Sequence, residues 1–273
     1  MNNSEKIIRD IMLRKTIDID EVHRYYSSIF NKTITDITTI ESLESANQQR
    51  LFTLMRSVEE DPVLVIKRIL MMNLMWLMTP GIVAFTQGSE FVAKTPMQDK
   101  AGPLNIAKNV GVIQGESFVE KGPHWGIFEM IRKMVLFRRM YRLYHPYRCS
   151  LVYKDERQNV IAFSIDVEAT PIVLVMNLSP VDYSEKPYRC DRMLMCRVTI
   201  TIPAPFMWKT IWYPILTTDN ATIYEGFQTI DHEISVFQCE DQKDSRKTEK
   251  FCADIALGSY SISVLSVNRY RIV

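Results

Sequence analysis

Two short stretches of this 273-residue chain hold polar and acidic side chains to be weighed for chemistry. One is Ile40-Glu41-Ser42-Leu43-Glu44, which puts two carboxylates close together after a run of β-branched residues. The other is Gln87-Gly88-Ser89-Glu90-Phe91. Carboxylates serve as general acid and base when their surroundings push their pKa values apart. The competing reading of Glu41 and Glu44 is a solvated acidic loop. Ser42 and Ser89 have no histidine near them in sequence to activate a hydroxyl. The four histidines, His23, His124, His145 and His232, are scattered, and no two of the five cysteines form a CxxC pair, so no zinc spacing appears. The nine glycines make neither GxGxxG nor GxxxxGK, so no phosphate loop is expected. Neither a metal nor an organic cofactor is called for.

Other residues are weighed between chemistry and packing. Trp125, Trp208 and Trp212 have faces that could stack on sugars, although a buried anchor is the commoner role of tryptophan. The methionines of residues 71–78 suit core packing better than a cofactor pocket. His124 and His145 read as loop and helix-end residues. Arg132, Lys133, Arg138, Arg139 and Arg142 read as the solvated face of a helix, with an acidic partner as the alternative.

Composition narrows the classes. Apolar residues make up 47% and charged residues 24%, as in an ordinary globular protein. Lysine plus arginine is 33 against 32 acidic residues, which argues against a general nucleic-acid binder. Residues 69–85 are almost wholly apolar. They fall short of the roughly 20 residues of a membrane span and are broken by Thr79-Pro80-Gly81, so a buried helix and a turn are expected there. The start, MNNSEKIIRD, lacks the apolar stretch of a secretion signal. An odd set of unpaired cysteines reads as free buried thiols in a reducing compartment. Cytoplasm is therefore the expected location, with no membrane contact.

The elements that must position these residues follow from periodicity. Helical spacing appears at 3–15 and at Asp20 to Phe30, with Asp18 or Asp20 as cap. Lys32 to Ile40 reads as a strand. Asp61-Pro62 opens a helix to about Met78, with proline in the first turn. Gly81 to Thr86 reads as a short strand and residues 88–123 as a long loop. Trp125 to Tyr144 is amphipathic, with Ile127, Ile131, Met134, Val135 and Met140 on one side. After Cys149 the pattern alternates. Strands are expected at 150–153, 160–165, 172–178, 193–202, 209–213, 222–224, 233–238 and 259–265, with 241–250 a solvated loop. The fold class is thus α+β, with residues 1–147 largely helical and 148–273 an antiparallel β-sandwich.

The order of these pieces resembles the last stretch of the α-amylase superfamily of glycoside hydrolases. The run Thr79-Pro80-Gly81-Ile82-Val83-Ala84-Phe85-Thr86-Gln87-Gly88-Ser89-Glu90-Phe91 is similar to the eighth barrel strand and its loop, in the form of debranching and branching enzymes. Ile40 to Glu44 occupies the place of the motif after the seventh strand. Phe128 to Pro146 resembles the eighth barrel helix, Ile172 to Ser179 a strand of the C-terminal domain, and Ala256 to Val267 its closing strand. The resemblance covers roughly residues 30–270.

It implies that residues 1–147 are the end of a (β/α)8 barrel and that the ligand is an α-glucan. It implies Glu44 at the third catalytic carboxylate, with Glu41, Gln87 and Glu90 as substrate contacts. The departures matter more. The family's nucleophile and general acid follow earlier strands, which this chain does not contain, and its His-Asp pair is here Leu43-Glu44. Two carboxylates must flank a scissile glycosidic bond. A displacement of about 1 Å can cost a hundredfold in rate. The chain is therefore expected to be inactive alone, as a fragment, a split subunit needing a companion polypeptide, or a pseudoenzyme. The alternative is a non-catalytic module that binds glycan or protein. An isolated pair of parallel strands would leave edges exposed, which is the physical case for a companion.

Overall fold

A computed structural model describes residues 4–30, 55–81, 83, 125–145, 147–167, 170–183, 198–203, 211–218, 234–238 and 250–267. The strand expected at 32–40, the loop at 88–123 and the strand at 222–224 lie outside them. The chain divides into two compact units, residues 1–146 with 220–228, and residues 147–219 with 229–273.

The described portion of the first unit is helical. α1 is Ser4–Met12 and α2 is Ile19–Phe30. The Asp18 carboxylate accepts the Asp20 N–H at 2.8 Å, and its carbonyl accepts the Val22 N–H, so Asp18 is the cap of α2. Ile8, Ile11 and Met12 of α1 and Val22, Tyr25 and Tyr26 of α2 are buried. Burial and the neighbouring Tyr26 push the Tyr25 hydroxyl pKa upward.

α3 is Pro62–Leu77. Asp61 caps it by accepting the Val63 N–H at 2.8 Å, and Pro62 follows at the first position, where its missing N–H costs nothing. Every residue from Lys67 to Leu77 is buried. From Ile69 on the helix is apolar except for Asn73, as a helix inside the protein is, and Met71, Met72, Met75 and Met78 pack there as core. No helix among the described residues is long and apolar enough to cross a membrane.

α4 is Trp125–Met140. Its buried stripe is Ile127, Met130, Ile131, Met134, Phe137 and Tyr141. This corrects the face expected from sequence, because Val135 and Met140 are 42% and 46% exposed. Each lies one position from a stripe residue, Val135 after Met134 and Met140 before Tyr141, about 100° around the helix. Lys133 and Arg138 are likewise buried rather than on a solvated face. Burial and the adjacent Arg132 lower the Lys133 pKa.

The second unit holds β1 (Arg148–Asp155), β2 (Val160–Val167), β3 (Thr170–Asn177), β4 (Val198–Pro203), β5 (Ile211–Thr217), β6 (Ile234–Gln238), β7 (Lys250–Ile255) and β8 (Ser261–Ser266). All pairings are antiparallel, and the strand order is β1-β2-β3-β8-β5-β6-β7-β4. β5 turns the corner: Ile211 and Trp212 pair with β6, whereas Tyr213 to Thr217 pair with β8. The end strands β1 and β4 come into contact, so the sheet is rolled.

Register sorts the central strands into two faces. Val160, Ala162 and Ser164 lie opposite Asn177, Val175 and Val173, which in turn face Ser261, Ser263 and Leu265. Apart from Leu265 and Asn177 these are smaller residues, and the fully buried Trp212 shares their core with Ala253, Ile255 and Leu257. The other face carries the larger Ile161, Phe163, Ile165, Ile172, Leu174 and Met176, also buried.

β7 lies where sequence reading ends a solvated loop and places no strand. Cys252 on β7 is disulfide-bonded. That corrects the expectation of free thiols throughout. Cys149 on β1 is free and buried, and desolvation, with Asp166 nearby, pushes its thiol pKa far up.

Candidate functional site

Glu41, Glu44, Gln87 and Glu90 all lie outside the described residues, so the structure assigns them no geometry. It does describe the turn from which the Gln87-Glu90 segment departs. α3 stops at Leu77 because proline at position 80 cannot continue a helix. The Thr79 hydroxyl donates back to the Trp76 carbonyl at 2.6 Å and its N–H does so at 2.9 Å. Gly81 takes φ 106°, a value that a side chain would strain, and its N–H donates to the Tyr144 carbonyl at 3.1 Å. The Thr79-Pro80-Gly81 stop is thus where the sequence puts it.

Arg138 of α4 closes the turn. Its guanidinium donates to the carbonyls of Leu77, Thr79 (2.6 Å) and Gly81. The first is the end of α3, where the helix dipole concentrates negative charge. Arg68 of α3 has a similar role between α1 and α3. It is wholly buried and donates to the Met12 carbonyl at 2.7 Å and to the Arg14 carbonyl, with Glu59 4.0 Å away. Two buried arginines therefore tie α1 to α3 and α3 to α4.

A second polar centre sits in the β unit. Asn177 is fully buried at the end of β3. Its amide donates to the carbonyls of Val181 at 2.7 Å and Gly258 at 2.8 Å. Its carbonyl oxygen accepts the Ser179 N–H at 3.0 Å and the Ser179 hydroxyl at 2.8 Å. Asn159, held at φ 56°, donates to the Leu178 carbonyl at 3.2 Å and accepts the Leu178 N–H at 2.9 Å through its own carbonyl. The Asn177-Leu178-Ser179 run is thus a knot joining three chain segments.

Chemically, both centres are scaffold. Arg138 donates to three backbone carbonyls, and Asn177 bonds to backbone groups and to the Ser179 hydroxyl. No group of three or more His, Cys, Asp or Glu side chains that could hold a metal occurs among the described residues. Trp212 is a buried anchor, not a sugar platform. Sequence reading misses the role of Arg138, since an arginine among basic neighbours on an amphipathic helix looks solvated. Only its position beside the Phe137 stripe hints otherwise.

No family model and no curated relative matches the sequence. Solved structures do match in fold. An α-amylase from H. orenii superposes with TM-score 0.54 at 12% identity, over 97% of this chain and 48% of that one. A cyclomaltodextrin glucanotransferase gives 0.56 at 13%, over 98% and 44%. A pullulanase from Bacillus acidopullulyticus gives 0.58 at 11%, over 96% and 30%. The chain therefore has an α+β fold similar to a portion of α-amylase-type enzymes and spans less than half the length of each. The likeness takes in nearly the whole chain, a larger share than the stretch 30–270.

Proposed function

We propose that this protein works on or with α-glucans as a counterpart of the C-terminal portion of an α-amylase-type enzyme, and that the chain alone does not cleave glycosidic bonds. The observation that carries this reading is the fold likeness, which takes in nearly all of this chain but only 30–48% of the matched enzymes. On this reading residues 1–147 are the end of a (β/α)8 barrel and residues 148–273 a sandwich-like β domain. Glu44 stands at the third carboxylate, and Glu41, Gln87 and Glu90 contact the glucan. Catalysis would need a companion polypeptide that supplies a nucleophile and a general acid.

The test is direct. The isolated chain, incubated with glycogen, pullulan and maltooligosaccharides, should show no turnover, yet should sediment with amylopectin. Glu90→Gln should weaken that binding by tenfold or more. Robust hydrolysis by the isolated chain overturns the inactive reading, and failure to bind any of these glucans overturns the carbohydrate reading.

The compartment is open to the same kind of test. The odd, scattered set of cysteines points to the cytoplasm, whereas the disulfide at Cys252 favours an oxidising compartment. Trapping thiols in the native source and counting alkylated cysteines separates the two.

A further inference from the structure

The turn at residues 77–81 is held more firmly than ending a helix requires. A C-terminal cap needs partners for the last helical carbonyls. Arg138 provides one for Leu77, but it also takes the Thr79 and Gly81 carbonyls, which lie beyond α3. The Tyr144 carbonyl, just after α4, holds the Gly81 N–H. Gly81 is therefore fixed at both its donor and its acceptor, at a backbone angle of φ 106°. A guanidinium can do this because its donors form a rigid planar fork, whereas an ammonium is a point charge on a flexible stem. Arg138 is only 8% exposed, so water is a poor substitute for it.

From these contacts we infer that Arg138 is a positioning residue for the segment leaving Gly81. It sets the backbone geometry from which the chain continues to Val83, at the start of the stretch that carries Gln87 and Glu90 in sequence. Any consequence for glucan binding rests on the glucan reading given above; the backbone role does not. Arg68 makes a useful contrast, because its carbonyl partners Met12 and Arg14 lead into α2 and not toward this segment.

The experiment compares the full chain with Arg138→Lys and Arg138→Met. Amide hydrogen exchange is read at Gly81 and Val83 and, as a reference, in α1 and α2. Maltoheptaose binding is read by calorimetry. Arg138→Met should speed exchange at Gly81 and Val83 by tenfold or more, leave α1 and α2 near wild type, and weaken maltoheptaose binding by tenfold or more. Arg138→Lys should fall between. Wild-type exchange at Gly81 and Val83 in either variant overturns the inference. So does acceleration shared equally by α1 and α2, since Arg138 would then merely stabilise the unit. If Arg138→Met does not fold, Arg138→Lys is judged by the same two criteria. If the wild-type chain binds no maltoheptaose, the glucan reading falls while the exchange rates still decide the role of Arg138.

Discussion

Asn177→Leu removes a buried amide and leaves an apolar side chain of similar size, which makes it a sharp probe of the β unit. Four hydrogen bonds disappear, two donated and two accepted. The partners do not suffer equally. Val181 is 50% exposed, so water can reach its carbonyl, whereas Ser179 and the Gly258 carbonyl are buried. Counting three buried bonds at about 1 kcal/mol each gives a loss on the order of 3 kcal/mol. That corresponds to a fall in Tm of roughly 10 °C for a protein of this size. The assay is urea unfolding followed by tryptophan fluorescence, which Trp212 reports from the same core. The slope m should be unchanged, since the same surface is exposed. Asn177→Asp sharpens the test. Its charged form would aim oxygens at the Val181 and Gly258 carbonyls, so burial and repulsion raise its folded pKa above the unfolded value. The folded state then binds protons more readily, and the variant should regain stability as pH falls through that raised pKa. A cost below about 1 kcal/mol for Asn177→Leu, or an Asn177→Asp variant whose stability declines toward acid more than wild type, refutes the knot.

Three further outcomes are expected. Reduction with dithiothreitol should open the Cys252 disulfide and lower stability by about 2–4 kcal/mol; unfolding curves that superpose with and without reductant contradict the bond. The raised Cys149 pKa means that its thiol stays protonated in the folded chain while the unfolded chain ionises above about pH 8.5. Stability should therefore be at its full value below that pH and decline above it, and Cys149→Ala should show a shallower alkaline decline; equal slopes between about pH 8 and 10 count against it. Asp61→Ala should cost α3 about 1 kcal/mol through the lost Val63 cap, read as a lower urea midpoint, and Asp61→Ser should recover most of it.

What the sequence discloses depends on how local the signal is. The α3 boundaries are legible because Asp61-Pro62 and Pro80-Gly81 act within a few residues of themselves. Strands β1 to β6 and β8 are found, within a few residues at their described ends, from runs of apolar and β-branched residues. β7 is not, because Phe251, Ala253 and Ile255 alternate for only one short run directly after the charged stretch DQKDSRKTEK. The rolled closure and the place of β8 between β3 and β5 depend on pairings between distant residues, which no local pattern encodes. Arg138 fails for a related reason. Its partners are the carbonyls of Leu77, Thr79 and Gly81, and carbonyls carry no residue signature. A window centred on α4 sees an arginine among arginines.

The same point bears on identities of only 11–13% to enzymes that share this fold. A backbone carbonyl can be satisfied by any donor that reaches it, and a buried face by any apolar set of the right volume. Such constraints leave geometry fixed while residue types drift. Two features here resist drift. Gly81 needs a residue with free access to positive φ, and a side chain that offers two donors and two acceptances at the site of Asn177 is hard to replace. Both lie in runs from which the likeness can be read, Pro80-Gly81 and Asn177-Leu178-Ser179. A match carried by such positions reports the scaffold and is silent on chemistry. That is why the glucan reading is decided by binding and turnover with the chain itself and by the behaviour of Glu90→Gln, not by closer superposition.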